Sequence, residues 1–144
     1  MVYKHEIGPA VLQGSCLEAE RARQVTELLK GLRNSIPESL HPHLNGLIGE
    51  CQMTAKNLRD VADKSQVLLN RVPQVIDYLN VLLPCLSRTL RDISFHIVDT
   101  SRHKHERWCA MYHKMSNELP GTALPARFIM YNQYLTSLRF LLAR

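Results

Sequence analysis

Ile76, Leu79, Leu83, Leu86, Leu90, Ile93 and Ile97 recur at separations of 3, 4, 3, 4, 3 and 4 residues. Only an α-helix returns side chains to one face at that period, so this stripe calls for a helix of about six turns. Val75, Leu82, Tyr78 and Phe95 add apolar character beyond the stripe, which makes the segment the expected central element of the fold. Pro73 suits a first-turn position, and Pro84 predicts a kink near Asn80, whose carbonyl loses its amide donor.

The same period organises the remaining chain. Ser15 and Glu18 form an S-x-x-E capping box, and Ala22, Val25, Leu29, Leu32 and Ile36 continue a stripe that Pro37 ends. Residues 1–14, with Gly8, Pro9 and Gly14 and no periodicity, read as a flexible N-terminal arm, leaving 15–144 as a single helical domain. A second helix runs from Pro42 to about Val72 through Leu44, Leu47, Ile48, Cys51, Leu58 and Leu69. Gly46 and Gly49 each cost about 1 kcal/mol of propensity, so its start lies at Pro42 or after Gly49.

Asp99, Thr100 and Ser101 offer consecutive N-caps for a fourth helix carrying Trp108, Met111, Tyr112, Met115 and Leu119, which PGTALP at 120–125 closes. A fifth follows with Leu124, Phe128, Tyr131, Leu135, Leu138 and Leu142. Strict alternation over six residues bounded by turn signals occurs nowhere, and there is no internal repeat. The fold class is therefore all-α, an antiparallel bundle of about five helices with the kinked third at its centre. Arg144 follows FLLA without a C-cap, which predicts that the native chain or an assembly partner continues there.

At 144 residues the chain can bury a core without disulfides or metal, and 45% hydrophobic with 22% charged residues is ordinary for a folded protein. Cys16, Cys51, Cys85 and Cys109 form no C-x-x-C and no tight framework. Reduced thiols, no signal-peptide pattern and no long apolar run predict an intracellular protein, with the cytoplasm favoured. Residues 1–72 carry 9 Lys/Arg against 8 Asp/Glu, and residues 73–144 carry 9 against 5. The basic excess in the second half suits an acidic partner, although it serves solubility equally well.

The stretch SRHKHERWCAMYHK, 101–114, concentrates the chemically notable side chains. His105, Cys109 and His113 stand at i, i+4 and i+8, where neighbours could chelate, but i to i+8 spans about 12 Å and all three cannot share one ion. No H-E-x-x-H or suitably placed carboxylate completes a set, so a solvated histidine flank is the reading and no metal or other cofactor is expected. Arg102, Lys104, Arg107 and Lys114, with Arg88 and Arg91 one helix earlier, could meet nucleic acid, with Trp108 as a stacking platform. They do not share one face, and Trp108 falls on the apolar stripe, so nucleic-acid binding is disfavoured and Trp108 is assigned to the core. In the fifth helix Arg127, Arg139 and Arg144 beside Phe128, Leu135, Leu138, Leu141 and Leu142 would suit an anionic membrane surface if that face were unpaired. Catalysis has no support: G-x-S-x-G is missing, carboxylates are not paired on one face, and Cys109 has only its i, i+4 histidines. Neither an enzyme nor a small-molecule substrate is expected.

RVPQVIDYLNVLLPCLSRTLRDISFHIVD (71–99), ERWCAMYHKM and LPARFIMYNQYLTSLRFLL resemble helical domains of uncharacterised intracellular fungal proteins, most specifically at LPCLSRTLRDI and LPARFIMYNQYL. A fainter similarity links the chain to HeLo-like helical domains at the N-termini of fungal signalling and cell-death proteins. That likeness implies interaction or membrane engagement. The sequence thus predicts a non-enzymatic protein-interaction module that binds a protein partner or itself. Phe128, Leu135, Leu138 and Leu142 are its expected apolar contact, and Arg102, Lys104 and Arg107 are expected to steer an acidic partner. An anionic-membrane module is the first alternative and nucleic-acid binding the second.

Overall fold

The computed structural model describes residues 2–67, 72–98, 103, 106–111 and 124–143. Over these the chain is helical: α1 spans Val2–Arg33, a 3₁₀ turn Glu38–Leu40, α2 His41–Val67, α3 Val72–Ile97, α4 residues 106–111 and α5 Leu124–Ala143. No strand occurs among the described residues. The all-α bundle read from periodicity is the fold.

Side-chain pairs give the direction of each helix. Arg33 meets Asn45 and Glu20 meets Arg59, so α1 and α2 are antiparallel. Gly14 lies against Leu83, and Arg21 reaches Ser87, so α3 runs parallel to α1. Glu50 and Thr54 meet Asn132 while Asp60 meets Arg139, so α5 runs parallel to α2 and opposite to α3. α1, α2, α3 and α5 therefore alternate in direction, with α1 and α2 in the most extensive contact and α3 and α5 on their flanks. Ala22, Val25, Leu29, Leu47, Leu58, Leu79, Leu86, Phe128 and Leu135 meet in one apolar core. Trp108 and Met111 of α4 join it, as their stripe predicts.

Two expectations change. The arm expected over 1–14 is helical backbone from Val2 onward. Ser15 is consequently an interior residue, completely buried, and Glu18 turns from a cap into the acceptor of Arg21 at 2.6 Å. With a turn of helix preceding them, the amides of that segment have intrahelical acceptors, and a capping box has nothing left to satisfy. Second, α3 keeps its stripe inward but exposes Tyr78, Val81, Phe95 and Val98, so it lies on one side of the bundle and not at its centre. It continues through Pro84 as one helix. Of the two starts open for α2 the earlier one holds, since the helix begins at His41, ahead of both glycines.

Buried hydroxyls are satisfied within their own helices, which removes the cost of burying them. Thr26 donates to Ala22 O at 2.8 Å, Ser65 to Val61 O at 2.7 Å and Thr54 to Glu50 O at 2.9 Å. Gly46 and Gly49 are exposed on α2, and a Cβ at either would have nothing within 4 Å. Gly46→Ala and Gly49→Ala should therefore each raise the unfolding free energy by roughly 0.5–1 kcal/mol in urea titrations. A loss of stability in either variant would show that α2 starts later than His41.

Candidate functional site

α3 and α5 share the least extensive of the main helix contacts. At one end they are joined by a polar contact: Thr89 donates to Cys85 O at 3.0 Å, leaving its hydroxyl oxygen to accept from Tyr131, 2.9 Å away. Burial pushes the Tyr131 phenol above its ordinary range, with Thr89 and the Arg127 charge opposing. Phe128 stacks edge-on against the same ring at 5.6 Å. Toward the start of α3 and the end of α5 the helices leave a groove of about 330 Å³, lined by Tyr78, Leu82, Tyr134, Ser137, Leu138 and Leu141. Leu82 and Leu138 are buried and form its floor, while Tyr78 and Tyr134 stand 57% and 56% exposed at its rim. The rim can therefore change partners without disturbing the core.

The other side of α5 is fixed by polar groups. Asn132 accepts from Asn57 Nδ2 at 3.2 Å and shares with Glu50 O the one hydroxyl proton of Thr54, whose Oγ1 lies 3.0 Å away, and it donates to Glu50 O and Glu50 Oε2 at 3.1 and 2.7 Å. Two turns further on, Arg139 donates to Asn57 Oδ1 at 3.0 Å and pairs with Asp60 at 3.2 Å. This ladder sets which face of α5 meets α2. Its one sequence signal is Asn132, which interrupts an otherwise largely apolar helical stripe.

The expected contact residues are corrected by their burial. Phe128, Leu135 and Leu142 are completely buried and belong to the core, so a partner cannot reach them as a surface, and Leu138, 3% exposed, shows only at the floor of the groove. The apolar residues that α5 does present are Ile129, Met130, Tyr134 and Phe140. Arg107 is half-buried and donates to Ile97 O at 3.0 Å, where it satisfies a carbonyl at the C-terminus of α3. Its guanidinium serves that helix end. Arg102 and Lys104 lie outside the described residues, as do His105 and His113. Cys109 is exposed on α4. Among the described residues no group of three or more His, Cys, Asp or Glu side chains could hold a metal ion, and no helix is long and apolar enough to cross a membrane.

No protein-family model, no curated protein and no solved structure matches the chain. The groove and the outer faces of α3 and α5 thus rest on their own geometry.

Cys51 is fully buried on α2, and burial together with the Glu50 charge holds its thiol well above the usual range. Native alkylation at neutral pH should label Cys16, Cys85 and Cys109, and Cys51 only after unfolding, as read by peptide mass spectrometry. Rapid native labelling of Cys51 would place α2 differently. Tyr131 supplies a pH signature. Its folded pKa is raised, so the unfolded chain loses the phenolic proton first, and stability is complete below about pH 10 and lost as pH rises from there through the folded value. Denaturant titrations of Tyr131→Phe should show a shallower alkaline decline than the wild type, at a cost of about 1 kcal/mol near neutrality.

Proposed function

We propose that the chain is a helical protein-interaction module whose contact surface is the groove between α3 and α5. The observation that carries this reading is the pairing of a dry floor, Leu82 and Leu138, with two exposed tyrosines at the rim. Val81 and Phe140 extend the apolar surface on the same two helices, at 73% and 69% exposure. Tyrosine gives large contact area for little loss of side-chain freedom, and apolar grooves between helices accept the apolar face of a partner helix. The partner is thus an amphipathic helical segment of another protein, held by burial of side chains between Tyr78 and Tyr134.

Tyr78→Glu and Tyr134→Glu alter exposed positions and should leave melting within a few degrees of the wild type. Affinity capture with the tagged protein should retain a protein that both variants lose by about tenfold or more. Equal retention by the wild type and both variants would remove the groove from the interface. Retention that disappears with nuclease, or sedimentation with anionic vesicles in place of any protein, would move the chain to one of the other two classes.

A further inference from the structure

The outer face of α3 carries a second surface, separate from the groove in residues and in chemistry. Cys85, Arg88, Asp92 and Phe95 follow one another at spacings of 3, 4 and 3, and so share a stripe along the helix. That stripe looks outward: Cys85 is exposed, and the Arg88 side chain and Phe95 are 77% and 68% accessible. Arg88 and Asp92 lie 4.0 Å apart, the outer limit of an ion pair, so each retains most of its capacity for another charge.

The order apolar, positive, negative, apolar is self-complementary when read in reverse. We propose that the chain associates with a second copy of itself through this stripe, the two α3 helices antiparallel, with Arg88 of each copy facing Asp92 of the other and Cys85 of each facing Phe95 of the other. The charges select this alignment over its competitors. A parallel, in-register pair sets Arg88 against Arg88 and Asp92 against Asp92. An antiparallel pair shifted by one heptad sets Tyr78 against Phe95 and Cys85 against Arg88, which leaves both charges facing apolar or neutral groups. Like charges face to face, or charges desolvated without partners, oppose association, whereas the proposed layers satisfy all four charged groups by a single two-fold operation. The contact is short, so the dimer is weak and forms with rising concentration.

The association does not depend on the groove, and the residues tested are not those that line it. In a background of Cys16→Ser and Cys109→Ser, Phe95→Cys places a new thiol opposite Cys85 of the second copy. Ten residues along a helix separate the two positions by about 15 Å, far beyond the reach of a disulfide within one chain. Under mild oxidation this variant should give a reducible dimer about tenfold faster than the background or than Arg88→Cys, which reports the shifted alignment. Light scattering should show Arg88→Glu and Asp92→Arg monomeric at concentrations where the wild type dimerises, and the double charge swap Arg88→Asp with Asp92→Arg dimeric again. Unchanged helix content by circular dichroism separates lost association from lost folding. A wild type that stays monomeric up to near-millimolar concentration, equal cross-linking of Arg88→Cys and Phe95→Cys, or single charge reversals that dimerise normally would each overturn the proposal.

Discussion

The bundle depends on how α5 is held against α2. Apolar residues surround α5: Phe128, Tyr131, Leu135, Leu138 and Leu142 face the core, while Ile129, Met130, Tyr134 and Phe140 face out. Burial alone gives similar free energy for either face, since each offers four or five large side chains worth roughly 1.5–3 kcal/mol apiece. The decision falls to Asn132 and Arg139. Rotating α5 would strand the amides of Asn57 and Asn132 and separate Arg139 from Asp60, and each buried group left unmade costs about 1–3 kcal/mol. A few polar contacts thus choose between two apolar faces that the hydrophobic effect cannot rank.

That choice determines what is left open. With Asn132 turned toward α2, Tyr131 is turned toward α3, where its hydroxyl meets Thr89. Both joints lie in the same turn of α5, and beyond it, toward the C-terminal part of that helix, the groove opens between α5 and α3. α3 is secured independently on its other flank, where Arg21 bridges Glu18 and Ser87 at 2.6 and 2.9 Å. Glu18 is buried and its charge is compensated by that guanidinium, which also fixes the height of α3 along α1. Because α3 and α5 take their positions from α1 and α2 respectively, neither needs the other to close, and the space between them is a consequence of topology.

Much of this was legible in the residues, and the failures have physical causes. The stripe from Ile76 to Ile97, the break at Pro37 and the burial of Trp108 follow from period and from backbone restriction. Periodicity reports that a face is apolar; it does not report which of two apolar faces turns inward, and so it cannot tell that Phe128, Leu135, Leu138 and Leu142 turn to the core and not to a partner. Gly8, Pro9 and Gly14 weaken helix propensity without ending α1, since propensity is a weak prior against context. Arg107 carried a charge that sequence reading aimed at a partner, and a carbonyl ten residues upstream takes it instead. The signal for the α2–α5 ladder is Asn132 within a largely apolar stripe, where a buried amide needs partners.

The two outward surfaces of α3 divide along the same line as the two faces of α5. Near Tyr78 the surface is apolar and aromatic, which supplies affinity but tolerates sliding, because one apolar layer resembles the next. Between Cys85 and Phe95 the layers differ in sign, so displacement by one heptad exchanges a charge pair for a charge against a neutral group. Charge of this kind adds little attraction at an exposed site, at most about 1 kcal/mol per pair, yet the mismatched alternatives lose more than that. Inside the bundle Asn132 orients an indifferent helix by the penalty attached to the wrong arrangement, and on the outside Arg88 and Asp92 do so for a second chain.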